Sequence, residues 1–494
     1  MPAARRHQGN DRCLTRIVAT VGPASASPPM LARLLRAGVG VFRLNMSHGD
    51  PATHARTLAA IRRVARSAGT QVGVLADLPG PKIRLTTIDG GETIRVRHGQ
   101  RIHVRAGTAP IDPESSPVTL HVDYPRFAND VCPGDRVLID DGAVQLRVRT
   151  NRRGTVECTC EVGGTLSGRK GVNLPETAVS LTAPTARDRR LADWAVRHGA
   201  DFVALSFVQR GADLRALRRS LERSARAARA RVPAIVAKIE RPVALGCLDE
   251  LAAACDAMMV ARGDLAIELD FARVPAEQRR IQAACERHAI PCIVATQMLQ
   301  SMMEAPLPTR AEASDVASAI FGGADAVMLS GETAAGKYPS ESVDAMRRIA
   351  SETERWVAAQ PARSLRATEL AESSEPAAVL ARSMAQMATA GHARAIVAFT
   401  DARSVRFISQ TDVNVPIYAF GSDDADLRTL ALLRGVRAVR IPHPRDSRVF
   451  VRTAERLLRA QRALAAGDRI VVATGFAGRG TERLWLRQVG ARAV

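Results

Sequence analysis

Aromatic residues make up only 3% of this 494-residue chain, and lysine is scarcer still, with four among 70 basic residues: Lys82, Lys170, Lys238 and Lys337. The lack of aromatics leaves few platforms for stacking bases, and no helix-turn-helix, zinc-finger or RNA-binding signature is present. The net charge of +20 is therefore not read as the mark of a sequence-reading protein. Its arginines are spread along helix-like segments such as RALRRSLERSARAARAR (215–231), where a solvated face accounts for them. No run of eighteen apolar residues occurs, so no membrane contact is expected. The opening MPAARRHQGNDRC is basic but has no apolar signal core after it, and a cytoplasmic location is expected. Eight cysteines are scattered, and the one close pair, Cys158 and Cys160, sits in a strand-like TVECTCEV without a second Cys or His pair. Thiols are expected, not a zinc site or disulfides.

What is present is a large apolar fraction, 46%, arranged in short runs. RIVATVG (from Arg16), VFRLNMS (Val41), QVGVLADL (Gln71), FVALSFV (Phe202), AIVAKIE (Ala234), AMMVARGDL (Ala257), PCIVATQM (Pro291) and AVMLSGE (Ala326) alternate with amphipathic stretches. Eight strands spaced for right-handed βαβ units predict an α/β fold built on a closed (β/α)8 barrel. Between the third and fourth runs, residues 81–178 alternate apolar and polar residues between glycine turns, the pattern of a small inserted antiparallel β domain. It is placed to act as a lid on one barrel face. After the barrel, PARSLRATELAESSEP reads as a linker into AIVAFT, VPIYAF, AVRI and RIVVATG, a smaller C-terminal parallel α/β domain. The expected division is 1–80 for an N-terminal segment and the first part of the barrel, 81–178 for the lid, 179–360 for the rest of the barrel and 361–494 for the C-terminal domain.

Barrel enzymes take their reactive groups from the C-terminal ends of the strands. Here those ends carry Arg43, Asn45 and Ser47, then Asp77, Ser206, Lys238 and Glu240, then Arg262, Gly263 and Asp264, then Thr296 and Gln297, and last Ser330 and Glu332. Such a ring of carboxylates, cations and hydroxyls would be unfavourable as mere core. Glu240 and Asp264, on adjacent strands, can share a divalent ion of the Mg²⁺ kind, which favours one or two carboxylates plus substrate oxygens. Lys238, two residues before Glu240, faces the same side, and a compact ammonium there can meet an anion held on that ion. The constellation implies phosphoryl transfer or enolate stabilisation.

The stretch AIVAKIERPVALGCLDELAAACDAMMVARGDLAIEL closely resembles the active-site signature of pyruvate kinases. TRIVATVGPAS, VFRLNMSHG, DLPGPKIR, GRKGVNLP, CIVATQMLQSM, PTRAEASDVASAI and MLSGETAAGKYP resemble further family motifs in family order. The resemblance implies transfer of the phosphoryl group of phosphoenolpyruvate to ADP, giving pyruvate and ATP in glycolysis. It implies that Glu240 and Asp264 bind Mg²⁺, or Mn²⁺ in its place, and that Lys238 neutralises the phosphoryl group in flight. Arg43 would grip the phosphate, while Gly263, Asp264 and Thr296 would hold the carboxylate, Thr296 also helping to deliver the proton to the enolate. Asn45, His48, Arg84 and Lys170 match nucleotide positions, although Ser-His-Gly at His48 also suits a tight turn. Ser206, Ser330 and Glu332 are read as ordering the site from behind, Lys337 as solvated, and Trp194, Trp356 and Trp485 as packing residues on helical stretches. A homotetramer is implied, with no specific nucleic-acid partner.

Two departures from the family pattern carry expectations of their own. Leu78 stands where potassium-dependent members have a hydroxyl residue, and Lys82 where they have a glutamate, so potassium is expected to be dispensable. In the C-terminal domain, AFTDARSVRFIS keeps Thr400 and Asp401 of the family's effector loop but lacks its glycine, so activation by a sugar phosphate is not expected. The alternatives are another Mg²⁺-dependent barrel enzyme acting on phosphoenolpyruvate or a 2-keto acid, against which GRKGVNLP in the lid speaks, and a basic RNA-associated protein, for which only the charge speaks.

Overall fold

Eight runs of four to seven mostly apolar residues form parallel strands that close on themselves: β1 (Arg16–Thr20), β2 (Val39–Asn45), β3 (Gly73–Asp77), β4 (Phe202–Leu205), β5 (Ala234–Ile239), β6 (Ala257–Ala261), β7 (Cys292–Ala295) and β8 (Ala326–Leu329). The computed structural model describes residues 13–360, 375–475 and 483–490, apart from 92, 153, 176, 178, 400 and 412. The strands read as continuous apolar runs because both of their faces are covered. One set of alternate residues, among them Val18, Val41, Leu75, Ala204, Val236, Met259, Ile293 and Met328, forms a buried cluster of its own. The other set, including Ile17, Phe42, Val74, Val203 and Ile235, packs with the surrounding helices. Period two then fixes the rim, since two residues beyond Val18, Val41, Leu75, Ala204 and Val236 stand Thr20, Arg43, Asp77, Ser206 and Lys238.

The lid enters at Ile83–Arg84 and leaves after Gly171–Asn173, and these two segments pair with each other. Its seven-stranded sheet encloses a separate apolar cluster to which Val156, Cys158 and Cys160 point. One pair departs from the expected antiparallel pattern, because Arg101–Ala106 and Thr119–Val122 run parallel. The connection 107–118 has the dozen residues that a parallel neighbour requires. A buried contact ties lid to barrel, with Asn173 Nδ2 donating to Glu268 Oε1 at 2.9 Å. Thr185 and Asp188 then form a reciprocal capping box that starts the helix Ala186–Arg197 leading into β4.

The C-terminal sheet has the order β11-β10-β9-β12-β13, with β9 (Ala395–Phe399), β10 (Ile417–Gly421), β11 (Val436–Arg440), β12 (Arg469–Thr474) and β13 (Arg483–Gln488). The first four are parallel and β13 is antiparallel to β12. Trp485 therefore lies on a strand and not, as expected, on a helix; the strand pairs antiparallel with β12 at the edge of the sheet, and Trp485 packs partly buried against the domain core. Trp194 and Trp356 are helical, but Trp356 is 57% exposed and packs edge-on against Phe321. Ala431 and Leu432, from this domain, join the cluster inside the barrel and close its lower end. Asp201, buried before β4, binds Arg62 at 2.6 Å and Arg428 of the C-terminal domain at 2.8 Å. Residues 361–374 of the stretch read as a linker lie outside the described residues, as do Thr400 and 476–482.

Candidate active site

At the C-terminal end of the barrel three carboxylates and three cations interlock. Asp77, at the end of β3, is the hub: its Oδ2 accepts from Arg43 Nε at 2.7 Å, and its Oδ1 lies 3.4 Å from Lys238 Nζ. Arg43 also donates from Nη1 to Thr20 Oγ1 at 3.0 Å, which fixes the guanidinium over β1 and β2. Lys238 Nζ lies 2.7 Å from Glu240 Oε1 and donates to Ser206 Oγ at 2.7 Å. Burial works against the Lys238 charge, but the carboxylates of Asp77, Glu240 and Asp264 outweigh it and hold the ammonium above its ordinary pKa. Burial likewise pushes Asp77 up, and Lys238 and Arg43 together bring it below the usual carboxylate range.

Glu240 has the opposite balance. Burial raises its pKa to about 7, Lys238 opposes the rise and Asp264 adds to it. Its Oε2 accepts the Phe207 amide at 2.6 Å, while Oε1 is buried beside the ammonium with no further partner. Asp264 opens the short helix Arg262–Glu268, about a quarter exposed to the cleft, with Lys82 Nζ 3.6 Å from its Oδ1. A buried carboxylate oxygen whose one neighbour is an ammonium, near a second carboxylate facing a cleft, fits a divalent cation that completes its shell with substrate and water oxygens. Among the described residues no three His, Cys, Asp or Glu side chains converge into a full protein cage.

The remaining expected residues fall in two places. Gly263 and Thr296 meet directly, the Gly263 amide donating to Thr296 Oγ1 at 2.7 Å. Thr296 and Gln297 have φ of +69° and +53°, a conformation that a β-branched residue adopts only under constraint. Arg262 supplies that constraint, since Nη2 donates to the Thr296 carbonyl at 2.7 Å and Nη1 pairs with Asp315 at 2.7 Å. Asn45 turns its side chain back to accept the Ser47 amide, and the His48 carbonyl lies 2.8 Å from His54 Nε2. Arg84 and Lys170 sit together on the lid, Arg84 bonding the Arg169 carbonyl and Lys170 pairing with Asp140 at 2.9 Å. Glu332 is fully buried and accepts the Leu299 and Ser330 amides, so it orders the β7 and β8 loops from behind.

Between lid and barrel lies a cleft of about 780 Å³, lined by Lys82, Asp264 and Gln297 and, from the lid, by Arg136, Asp141 and Gln145. Sequence reasoning missed these lid residues, and the only available signal was the Asp140-Asp141-Gly142 turn. It also missed the roles of Arg262 and of the Phe207 amide. The latter is aimed by a φ of +58° at Phe207, against which Gly80 packs so closely that a Cβ there would lie 2.8 Å from the ring.

Two family models match the chain: pyruvate kinase, barrel domain, over residues 13–343, and pyruvate kinase, alpha/beta domain, over 378–483. Among curated relatives, a pyruvate kinase of Agrobacterium vitis is 40% identical over 465 residues, covering 93% of this chain and 94% of its own. A pyruvate kinase of Mycobacterium tuberculosis is 38% identical, with 93% and 94% covered. The crystal structure of a pyruvate kinase from Cryptosporidium parvum superposes with a TM-score of 0.88 at 29% identity, covering 97% of this chain and 96% of that one.

Proposed function

The chain belongs to the pyruvate kinase family, and we propose that Glu240 and Asp264 hold its Mg²⁺ while Lys238 and Arg43 take the phosphoryl group of phosphoenolpyruvate. It transfers that group to ADP, giving pyruvate and ATP, and like its family it works with a divalent metal. The observation that carries the residue assignment is the set of contacts around Lys238, an ammonium 2.7 Å from Glu240 and 3.4 Å from Asp77 on the barrel rim.

The charge count explains why a metal is needed. Arg43, Lys238 and Lys82 are balanced by Asp77, Glu240 and Asp264, so the protein alone offers a trianionic substrate no net attraction. Glu240 and Asp264 would hold a divalent cation, which would supply that attraction and Lewis-acid polarisation of the substrate oxygens. Lys238 then faces the phosphoryl group in flight and the negative charge that builds on the enolate oxygen as its bond to phosphorus breaks, and its worth is greatest in transit. Arg43, locked to Asp77 and Thr20, orients the phosphate without reorganising. In this reading Gly263 and Thr296 receive the carboxylate, and the Thr296 hydroxyl, which donates to the Ala295 carbonyl at 2.6 Å and accepts the Gly263 amide, would turn from that carbonyl to relay a proton to the enolate carbon. Asn45, His48, Arg84 and Lys170 form the nucleotide side, two on the barrel and two on the lid, so that closure brings ADP onto the phosphoryl group and excludes water.

Potassium is dispensable in this reading. Leu78 is buried among core side chains and offers only its carbonyl, which already accepts Ser206 Oγ at 2.7 Å, while Lys82 holds a fixed positive charge beside Asp264. A homotetramer fits the exposed apolar side chains on the barrel, Phe271 at 81% and Leu307 at 68%, together with the Phe321–Trp356 pair. All eight cysteines are free thiols, in keeping with a cytoplasmic enzyme. Among the described residues no helix is long and apolar enough to cross a membrane. Pyruvate formation from phosphoenolpyruvate, followed with and without ADP and with and without Mg²⁺, tests the assignment. Turnover that needs both is expected, and turnover without ADP would overturn it.

A further inference from the structure

The helix Ser447–Ala460 in the C-terminal domain concentrates charge that the catalytic site does not use. Its apolar residues Phe450, Val451, Ala454 and Leu458 are buried in the domain core. Arg448, Arg452, Arg456 and Arg459 are exposed, and at about 100° per residue they fall within an arc of about 80° on the opposite side. Arg445 and Arg462 extend the row beyond both helix ends and are also exposed. Among the described residues none of these six side chains has a carboxylate or other partner. The helix's one acidic residue, Glu455, is occupied by Arg487 at 2.7 Å. The helix Gly211–Ala228 carries a shorter row: Arg215 and Arg218 are paired with Glu250 and Asp256, and Arg219, Arg223 and Arg226 are exposed without a carboxylate partner among the described residues.

We propose that this arginine face docks the phosphodiester backbone of nucleic acid, without regard to base sequence. Four like charges left unpaired along one face, with two more just beyond the helix ends, repel one another, and a polyanion is the partner that relieves them. The exposed residues of the helix are four arginines and Ala460, so nothing apolar is offered to a lipid interior or to a protein hot spot, and no ring to a base. Charge alone remains, which suits phosphate contacts and not base readout. A helix of fourteen residues spans about 21 Å and faces about a dozen duplex phosphates. Contact with four to six of them gives a slope of log K against log salt of about −4 to −5.

The test uses the full-length protein and fluorescein-labelled twenty-mers of unrelated sequence, as duplex DNA, duplex RNA and single-stranded RNA, titrated by anisotropy across a salt series. Affinity should be equal across sequences of one type and carry the steep slope. R452A/R456A/R459A should flatten the slope by about three units while phosphoryl transfer is unchanged. R219A/R223A/R226A removes the same charge from exposed positions on the helix Gly211–Ala228 and should leave the slope in place. Equal losses in the two triple variants would overturn the proposal, because the binding would then belong to net charge. Strong preference for one sequence would also overturn it. So would retention on phosphatidylserine vesicles through these arginines with no binding to any oligonucleotide.

Discussion

Replacing Lys82 by glutamate reverses one charge 3.6 Å from Asp264, in a cleft where both side chains are about a quarter exposed. At that separation a unit charge pair is worth about 1 kcal/mol in a water-like medium and about 4 kcal/mol at an effective dielectric of 20. Solvent screening at this exposure argues for the lower figure. Reversal changes the sign, doubling the effect to about 2 kcal/mol, or about thirty-fold in kcat/KM. The rim then carries two net negative charges in place of balance, and a monovalent cation can restore part of what was lost. Leu78→Thr, made with it, adds a hydroxyl beside Asp77 to help hold that cation. The assay is pyruvate formation in tetramethylammonium buffer, with potassium added afterwards. The natural chain should run at nearly full rate without potassium, and the double variant should be slow and respond to it. Stimulation of the natural chain tenfold or more would refute the argument, since Lys82 would then not be doing the cation's work.

Asp201→Ala removes a buried carboxylate that holds Arg62, Arg428 and the Val74 amide, and should cost about 3–5 kcal/mol of stability in denaturant unfolding; a cost below 1 kcal/mol would show that the Asp201 ion pairs do not fasten the C-terminal domain to the barrel. Fructose 1,6-bisphosphate should not shift the phosphoenolpyruvate saturation curve, because Asp401 already caps the helix Ala402–Ser409 by accepting the Ser404 amide at 2.9 Å and its hydroxyl at 2.9 Å, where an added anion would meet a like charge; a large leftward shift would contradict this.

The barrel was legible because its strands are buried on both faces, so RIVAT or AIVAKI stands out as an apolar run without tertiary information. The rim residues were legible for the same reason, since Lys238 and Glu240 each break such a run at its end. Asp77 was visible as a polar strand end, but not as the hub, because its partners Arg43 and Lys238 lie 34 and 161 residues away in sequence and meet it only when the barrel closes. The constraint on Thr296 was invisible for a like reason: it depends on Arg262 and Asp315, brought together from the β6 and β7 connections. Strand β13 was missed because Leu484, Trp485 and Leu486 form one short apolar run between arginines, which does not separate strand from helix.

The central claim is that Lys238 acts on charge in transit while Glu240 and Asp264 hold the metal. It is tested most directly by Lys238→Met, measured for both turnover and cation binding. Turnover should fall by several kcal/mol in barrier, on the order of a thousand-fold or more, while Mn²⁺ and phosphoenolpyruvate still bind, as followed by electron paramagnetic resonance of the metal. Near-normal turnover in this variant would contradict the account.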